Sequence, residues 1–156
     1  MYSRPTPLYI AALLLAWGLL LQSPVAGQAA SHQTDPIPDV VRGAGPEKGG
    51  VVLHLGCGDG RLTVALHGES GPVVRGLDED EDDVREARRY IRSRGLYGTV
   101  SVGHLRSSRL PFSTGLINLV VAQETGRVPN EEIMRVLAPG GVACIEEGGQ
   151  WKKKVK

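Results

Sequence analysis

The sequence predicts an open α/β domain, a doubly wound and mostly parallel sheet of about five strands with helices on both faces. Short β-branched, apolar runs recur along the chain. Their lack of alternation is typical of strands buried on both faces. Helical segments separate most of these runs, which favours right-handed crossovers between parallel strands.

Composition limits the class of protein. The chain has 156 residues, of which 41% are hydrophobic and 22% charged, which is a globular balance. Eighteen basic and 17 acidic residues give a net charge of +1, without the basic excess that nucleic-acid binding usually needs. The two cysteines cannot form a disulfide framework, and no His or Cys spacing is typical of a metal site. We therefore expect neither a nucleic-acid partner nor a bound metal.

Residues 1–27 are predicted to be a signal peptide. Arg4 supplies a positive start and Leu8 to Leu21 an uncharged core, which is shorter than the roughly 20 residues of a membrane span. Val25 and Gly27 are small residues at the −3 and −1 positions of a cleavage site. The mature chain is therefore expected to be secreted or periplasmic, with no stable membrane span. An uncleaved N-terminal anchor is the alternative.

The elements follow in order along the chain. Residues 28–50 are polar, broken by proline and glycine, and predicted to be a linker. The α/β domain is predicted over residues 51–147, and residues 148–156 as a basic tail or a linker to a missing domain. The predicted elements of the domain are a strand Val51–Leu55, a helix carrying Leu62 and Leu66, a strand Val73–Asp78, a helix from the acidic run at Asp78–Asp83 to Gly95, strands Thr99–Val102 and Leu116–Val121, a helix capped by Asn130 that carries Val136 and Leu137, and a strand Val142–Glu146.

A glycine-rich turn follows the first predicted strand. Its sequence, Gly56-Cys57-Gly58-Asp59-Gly60, lets the backbone approach a ligand closely at the start of a helix. Arg61 stands where the dinucleotide fingerprint would need a third spaced glycine. Asp78 ends the second strand, where a carboxylate can accept hydrogen bonds from both hydroxyls of a ribose. The pattern indicates a nucleoside site.

These motifs resemble those of the class I S-adenosylmethionine-dependent methyltransferases. Val52–Gly60 is similar to their first motif and Gly76–Asp78 to their second. Leu110–Phe112 resembles the segment before their fourth strand, and Glu132–Gly141 a common helix and turn. The resemblance implies a Rossmann-like methyltransferase fold, strand order 3-2-1-4-5 and S-adenosyl-L-methionine as cofactor. Two further strands normally close this fold as an antiparallel hairpin, and we expect the chain to lack them.

The resemblance also implies a set of site residues. Glu124, at the end of the fourth strand, is the candidate general base, or else a surface carboxylate. The family usually has an acid at the position of His54 and often has acids near His104 and at Asn118, so we expect weak cofactor binding. The residues implied to bind the cofactor are His54, Gly56, Cys57, Gly58, Gly60, Asp78, Glu79, His104 and Gln123.

Several of these residues also have a structural interpretation. His54 is either a core histidine with one hydrogen bond or a ligand. His104 is either a loop residue or an adenine contact. Protonation of His54 below about pH 6.5 would repel the ammonium and sulfonium of the cofactor. Cys57 and Cys144 are expected to be unbridged, small buried hydrophobes.

Two functions remain open at this point. The first is a methyltransferase-like domain, active or degenerate, whose acceptor, a small molecule or a protein, the sequence does not reveal. The second is an exported, non-catalytic binding or scaffold module that retains the fold, because export would separate the domain from its cytoplasmic cofactor. The chain also resembles exported bacterial proteins in which such a domain precedes a quinoprotein-like β-propeller, which implies that domain as a partner.

Overall fold

The computed structural model describes residues 37–46, 49–68 and 71–156, so the predicted signal peptide lies outside the described residues. None of the helices within those ranges is long and apolar enough to cross a membrane. The strands are β1 (Val51–Leu55), β2 (Val73–Asp78), β3 (Val100–His104), β4 (Ile117–Ala122), β5 (Leu137–Glu147) and β6 (Gln150–Val155). The helices are α1 (Arg61–Ala65), α2 (Glu81–Ser93) and α3 (Asn130–Val136).

The six strands form one sheet in the order β3-β2-β1-β4-β5-β6. All neighbouring pairs are parallel except β5 and β6. Leu55, the last residue of β1, lies opposite Leu77 of β2 and Ala122 of β4, so these strands end at the same edge. The strand order reverses between β1 and β4. This confirms the predicted doubly wound α/β class.

The sheet is buried on both faces. In β1, Val52 packs with the α2 residues Val84 and Ile91 on one face, whereas Leu53 packs with the α3 residue Ile133 on the other. Each of these side chains is at most 1% exposed. Burying one such side chain contributes about 1.5–3 kcal/mol. The non-alternating apolar strands therefore reflect two covered faces, as the sequence predicts.

Helix α2 begins and ends as its charges predict. The Asp80 carboxylate accepts a hydrogen bond from the Asp82 backbone N–H at 2.7 Å, and the acids of the first turn lie where the helix macrodipole favours negative charge. Helix α3 differs from prediction. Pro129 is its N-cap residue, Asn130 is helical and makes no capping bond within the described structure, and Leu137 already belongs to β5.

The predicted basic tail forms strand β6, so the sheet has six strands. Gly148 and Gly149 connect β5 to β6 with φ values of 62° and 77°, the backbone that a two-residue hairpin turn requires at both positions. Lys152 Nζ contacts Glu147 Oε2 at 2.6 Å across this hairpin. The expectation that closing strands are absent is therefore wrong for one antiparallel strand. The lysines of β6 lie on an edge strand, where charge discourages further pairing.

Part of the predicted linker belongs to the core. Residues 37–46 form turns, and Val41 and Ala44, at 4% and 9% exposure, pack in the same cluster as Val52 and Leu119. The Val40 carbonyl accepts from Cys144 Sγ at 3.5 Å. The apolar residues of this otherwise polar segment cover one face of the sheet. Residues 37–46 are therefore packed onto the domain and are not a free linker.

Candidate functional site

A small crevice lies at the carboxyl ends of β1 and β4. Ligands of open α/β sheets bind at this position, where the strand order reverses. The crevice encloses about 100 Å³. Its walls include Gly56, Asp78, Glu79, Leu105, Glu124 and Gly126.

Two glycines of the loop after β1 are required by close contacts. Gly56 has φ 68°, and a Cβ there would lie 3.0 Å from the Glu124 backbone nitrogen. Gly60 has φ 83°, and a Cβ there would lie 2.8 Å from Ala87 Cβ of α2. Gly56 therefore brings the loop against the end of β4, whereas Gly60 permits α2 to pack on the loop.

Asp78 is held at the crevice wall by backbone groups. Its Oδ2 accepts from the Gly58 N–H at 2.9 Å, and its Oδ1 accepts from the Asp80 N–H at 2.9 Å. A carboxylate has about four lone-pair sites, so each oxygen retains capacity for another donor. The glycine loop thus fixes the orientation of the carboxylate that the sequence assigns to a ribose.

His54 is completely buried beneath the loop. Its Nδ1 lies 2.8 Å from Thr63 Oγ1, and its Nε2 has no hydrogen-bond partner among the described residues. Burial lowers the pKa of His54 to about 4. The Gln123 side chain, which lies near the ring without reaching hydrogen-bonding geometry to Nε2, and the Asp78 charge oppose that shift without cancelling it. The expectation of a charged imidazole below about pH 6.5 is therefore corrected, because the ring stays neutral down to about pH 4.

His104 anchors the turn that carries Asp78 and Glu79. Its Nε2 lies 3.0 Å from the Glu79 carbonyl, and Arg106 Nε donates to its Nδ1 at 3.3 Å. The Leu105 N–H donates to the Asp78 carbonyl at 2.6 Å. Both imidazole nitrogens therefore bond within the protein, and the end of β3 fixes the turn after β2.

An ion pair joins the two loops on either side of the crevice. Arg127 Nη2 donates to Glu79 Oε2 at 2.9 Å, and the Arg127 backbone N–H donates to Glu79 Oε1 at 2.7 Å. These hydrogen bonds from Arg127 lower the pKa of the Glu79 carboxyl. A Cβ on Gly126, where φ is 54°, would overlap the Glu79 carboxylate. Only glycine thus allows this close approach.

The structure brings together part of the sequence-predicted site. Gly56, Gly58, Asp78, Glu79 and Glu124 lie at or beside the crevice, and Gln123 is exposed at the end of β4.

Other predicted site residues lie elsewhere. Cys57 is 3% exposed and packs with Leu62 and Val102, and burial raises the pKa of its thiol to about 12. Cys57 and Cys144 are both free and buried, as predicted. Within the described ranges, no cluster of three potential metal ligands occurs.

Sequence reasoning missed several crevice residues. Leu105, Thr125 and Gly126 line the crevice, and Arg127 bonds to Glu79 of its wall. Their only sequence signal is position, since they follow the ends of β3 and β4.

The fold defines a doubly wound α/β domain whose crevice lies where such folds bind their ligands. The chain belongs to the family described as "Methyltransferase domain", which it matches over residues 52–141. It is 34% identical over 117 residues to the ubiquinone/menaquinone biosynthesis C-methyltransferase UbiE of Yersinia enterocolitica, covering 67% of this chain and 45% of that protein. It is 30% identical over 102 residues to methyltransferase GfsG of Streptomyces halstedii, covering 62% and 37%. The chain thus spans less than half the length of either relative.

Solved structures agree with this assignment. The [4+2]-cyclase SpnF is 25% identical with a TM-score of 0.61, covering 72% of this chain and 46% of that one. Geranyl diphosphate C-methyltransferase of Streptomyces coelicolor A3(2), solved with S-adenosyl-L-homocysteine, is 19% identical with a TM-score of 0.61, covering 69% and 43%. The second likeness shows the fold alone. The chain is therefore an S-adenosylmethionine-dependent methyltransferase-like domain, as the sequence predicts.

Proposed function

We propose that this chain binds S-adenosyl-L-methionine at the crevice between the ends of β1 and β4 and serves methyl transfer. The observation that carries the proposal is the Asp78 carboxylate, oriented at the crevice wall by the Gly58 N–H at 2.9 Å. A fixed carboxylate beside a glycine loop suits the two hydroxyls of a ribose. The family match and the relatives named as methyltransferases support it.

The residues present fit the cofactor in chemistry. Asp78 keeps free lone pairs for ribose hydroxyls, and Glu79 and Glu124 are two further acids of the walls, which suits a ligand with a sulfonium and an ammonium. The unpartnered Nε2 of the neutral His54 is a further polar atom beneath the loop. The volume fits less well, because ligand pockets usually enclose about 300–1,000 Å³. The proposal therefore includes a widening of the crevice when the whole molecule binds.

The cofactor, when bound, supplies a methyl group on a sulfonium for in-line displacement. The chain then has to hold donor and acceptor in line, which can contribute about 7–11 kcal/mol in favourable cases. We assign the ribose hydroxyls to Asp78. Glu124, exposed at the end of β4, is the group placed to take a proton from an acceptor that needs deprotonation.

Calorimetric titration with S-adenosylhomocysteine tests the cofactor proposal. Asp78→Ala removes a charged hydrogen-bond acceptor, worth about 1.5–3 kcal/mol, so the dissociation constant should rise roughly 10- to 100-fold. Glu86→Ala is the matched control, because it removes an exposed carboxylate of α2 that does not line the crevice. Equal affinities for the wild type and Asp78→Ala would show that this carboxylate only starts the acidic helix.

A non-catalytic binding module is the second candidate function. Two observations favour it. The crevice is small, and His104, near a position where the family often has an acid, uses both ring nitrogens within the protein. This function predicts that the folded chain binds neither S-adenosylmethionine nor its product and transfers no methyl group. Calorimetry that detects no binding, together with a cooperative unfolding transition, would support it.

We also propose that the chain is exported. The support is the sequence pattern of Arg4, the uncharged core from Leu8 to Leu21, and small residues at Val25 and Gly27. N-terminal sequencing of protein recovered from a bacterial periplasm or medium should find a start near Gln28. Soluble cytoplasmic protein that retains Met1 would contradict export. The proposal that a β-propeller follows in a longer protein rests on the resemblance alone.

A further inference from the structure

The ion pair between Glu79 and Arg127 joins two segments that the fold does not otherwise connect at this edge. Glu79 belongs to the turn after β2, and Arg127 belongs to the loop after β4, 48 residues further along the chain. Between these strands lies β1, whose following glycine loop forms the floor of the crevice. The pair therefore joins two loops that both contribute walls to the crevice.

The two sides of this pair are held differently. The backbone of Glu79 is held by the end of β3, because its carbonyl lies 3.0 Å from His104 Nε2 and the adjacent Asp78 carbonyl accepts from the Leu105 N–H. On the other side, the Gln123 N–H donates to the Leu55 carbonyl, and Val128 is buried. The short tip between those anchors carries Thr125, Gly126 and Arg127, so movement of this tip would release the pair without disturbing the sheet.

We propose that Glu79 and Arg127 form an ionic latch that keeps the crevice closed and must open before a nucleoside cofactor enters. The inference rests on the proposed function. Glu79 and Gly126 are themselves walls of the crevice, which encloses about 100 Å³ while the latch is closed. That is below the about 300 Å³ at which ligand pockets usually begin. Gly126 permits the closed state, since any side chain there would overlap the Glu79 carboxylate.

The latch has a measurable consequence for affinity. The apparent dissociation constant equals the intrinsic constant divided by the open fraction. Both side chains are partly exposed, at 35% for Glu79 and 51% for Arg127, so the latch has the strength of a surface ion pair. Its removal should therefore lower the apparent dissociation constant roughly two- to fivefold, and raise the association rate constant by a similar factor.

The test compares S-adenosylhomocysteine binding by calorimetry and stopped flow for the wild type, Glu79→Gln and Arg127→Gln. The two substitutions change the local charge in opposite directions, so a field effect on the ligand would shift affinity in opposite directions. The latch predicts tighter and faster binding in both variants. Gly126→Ala should behave like them. Glu147→Gln, which removes the exposed ion pair with Lys152 in the β5–β6 hairpin, is the matched control and should leave binding unchanged.

Salt provides an independent arm of the test. Ionic strength screens exposed charge pairs, and S-adenosylhomocysteine carries no net charge at neutral pH. Raising the salt concentration should therefore tighten binding to the wild type and leave Glu79→Gln unaffected.

The outcomes separate the latch from the proposed function. A dissociation constant two- to fivefold lower in both latch variants than in the wild type would support the latch. Wild-type binding with unchanged constants in both latch variants, or with shifts of opposite sign, would overturn the latch and leave the cofactor proposal standing. Absence of binding in every folded protein would overturn both, since the latch would then have no ligand to admit.

Discussion

The neutral, buried state of His54 makes the stability of the protein depend on pH in a defined window. In the unfolded chain, a histidine takes up its proton near pH 6.5. In the folded protein, burial lowers the pKa of His54 to about 4. Between these values the unfolded state binds more protons than the folded state, so the free energy of unfolding falls as the pH falls. At 1.36 kcal/mol per pKa unit, the full difference corresponds to about 3 kcal/mol, which is large beside a typical domain stability of roughly 5–15 kcal/mol.

Urea unfolding of the wild type and His54→Asn from pH 7 to pH 4 measures this effect. Asparagine can still hydrogen-bond to Thr63 but cannot gain a charge. Between pH 7 and pH 4 the free energy of unfolding of His54→Asn should therefore fall by about 3 kcal/mol less than that of the wild type. His67→Asn, at a partly buried histidine that contacts the Pro72 carbonyl, is the matched control and should follow the wild type. Equal pH dependence of the free energy of unfolding in the wild type and His54→Asn would refute the reasoning. So would an NMR titration of the His54 imidazole with a midpoint near pH 6.5.

Two further predictions concern stability and are checked by urea unfolding. Arg135→Met should lower the free energy of unfolding by about 2 kcal/mol, because it leaves the Glu132 carboxylate, 13% exposed, without its cation. Arg135 lowers the pKa of Glu132 to about 2. The stabilisation by this pair should therefore be present above about pH 4.5 and be lost as the pH falls towards 2. A wild-type stability that is flat across that window would contradict the second part. Gly60→Ala should lower the free energy of unfolding more than Gly95→Ala. Both residues have positive φ, but only a Cβ at position 60 would also overlap Ala87. The strain of positive φ alone is about 1–2 kcal/mol, and equal losses in the two variants would exclude the packing role of Gly60.

Local sequence signals predicted the elements that carry the site. β1 and β2 have the predicted bounds, because Gly50 and Gly56 enclose the apolar run of β1, whereas β2 begins after Pro72 and ends where the acidic run begins. Asp78 lies at the crevice because β2 ends there, beside the glycine loop. The acids and arginines of α2 also matched its ends. In each case the structure is determined by residues close together in the chain, which is why the sequence was sufficient.

Features that depend on distant contacts were not predictable in this way. The lysine-rich strand β6 has no apolar pattern, and it forms because β5 offers an edge and two glycines make the turn. Residues 37–46 read as polar, yet Val41 is buried against the sheet. The pair of Glu79 and Arg127 joins two loops that are far apart in sequence. No periodicity or spacing marks such a contact, so only the folded chain reveals it.

The three residues at which the family resemblance implies an acid make structural contacts in this chain. The Asn118 side chain accepts from the Val51 N–H at 2.9 Å, which ties β4 to the start of β1. His104 bonds through both nitrogens, and His54 bonds to Thr63 through one. Of these three side chains, His54 alone keeps a buried polar atom without a partner within the described structure. We therefore expect recognition of the nucleoside to depend chiefly on Asp78, with the glycine loop left to accommodate the methionine part. This distribution explains how the fold can retain a nucleoside site while weak binding is expected, and it makes Asp78 the residue whose substitution best separates a surviving cofactor site from a scaffold.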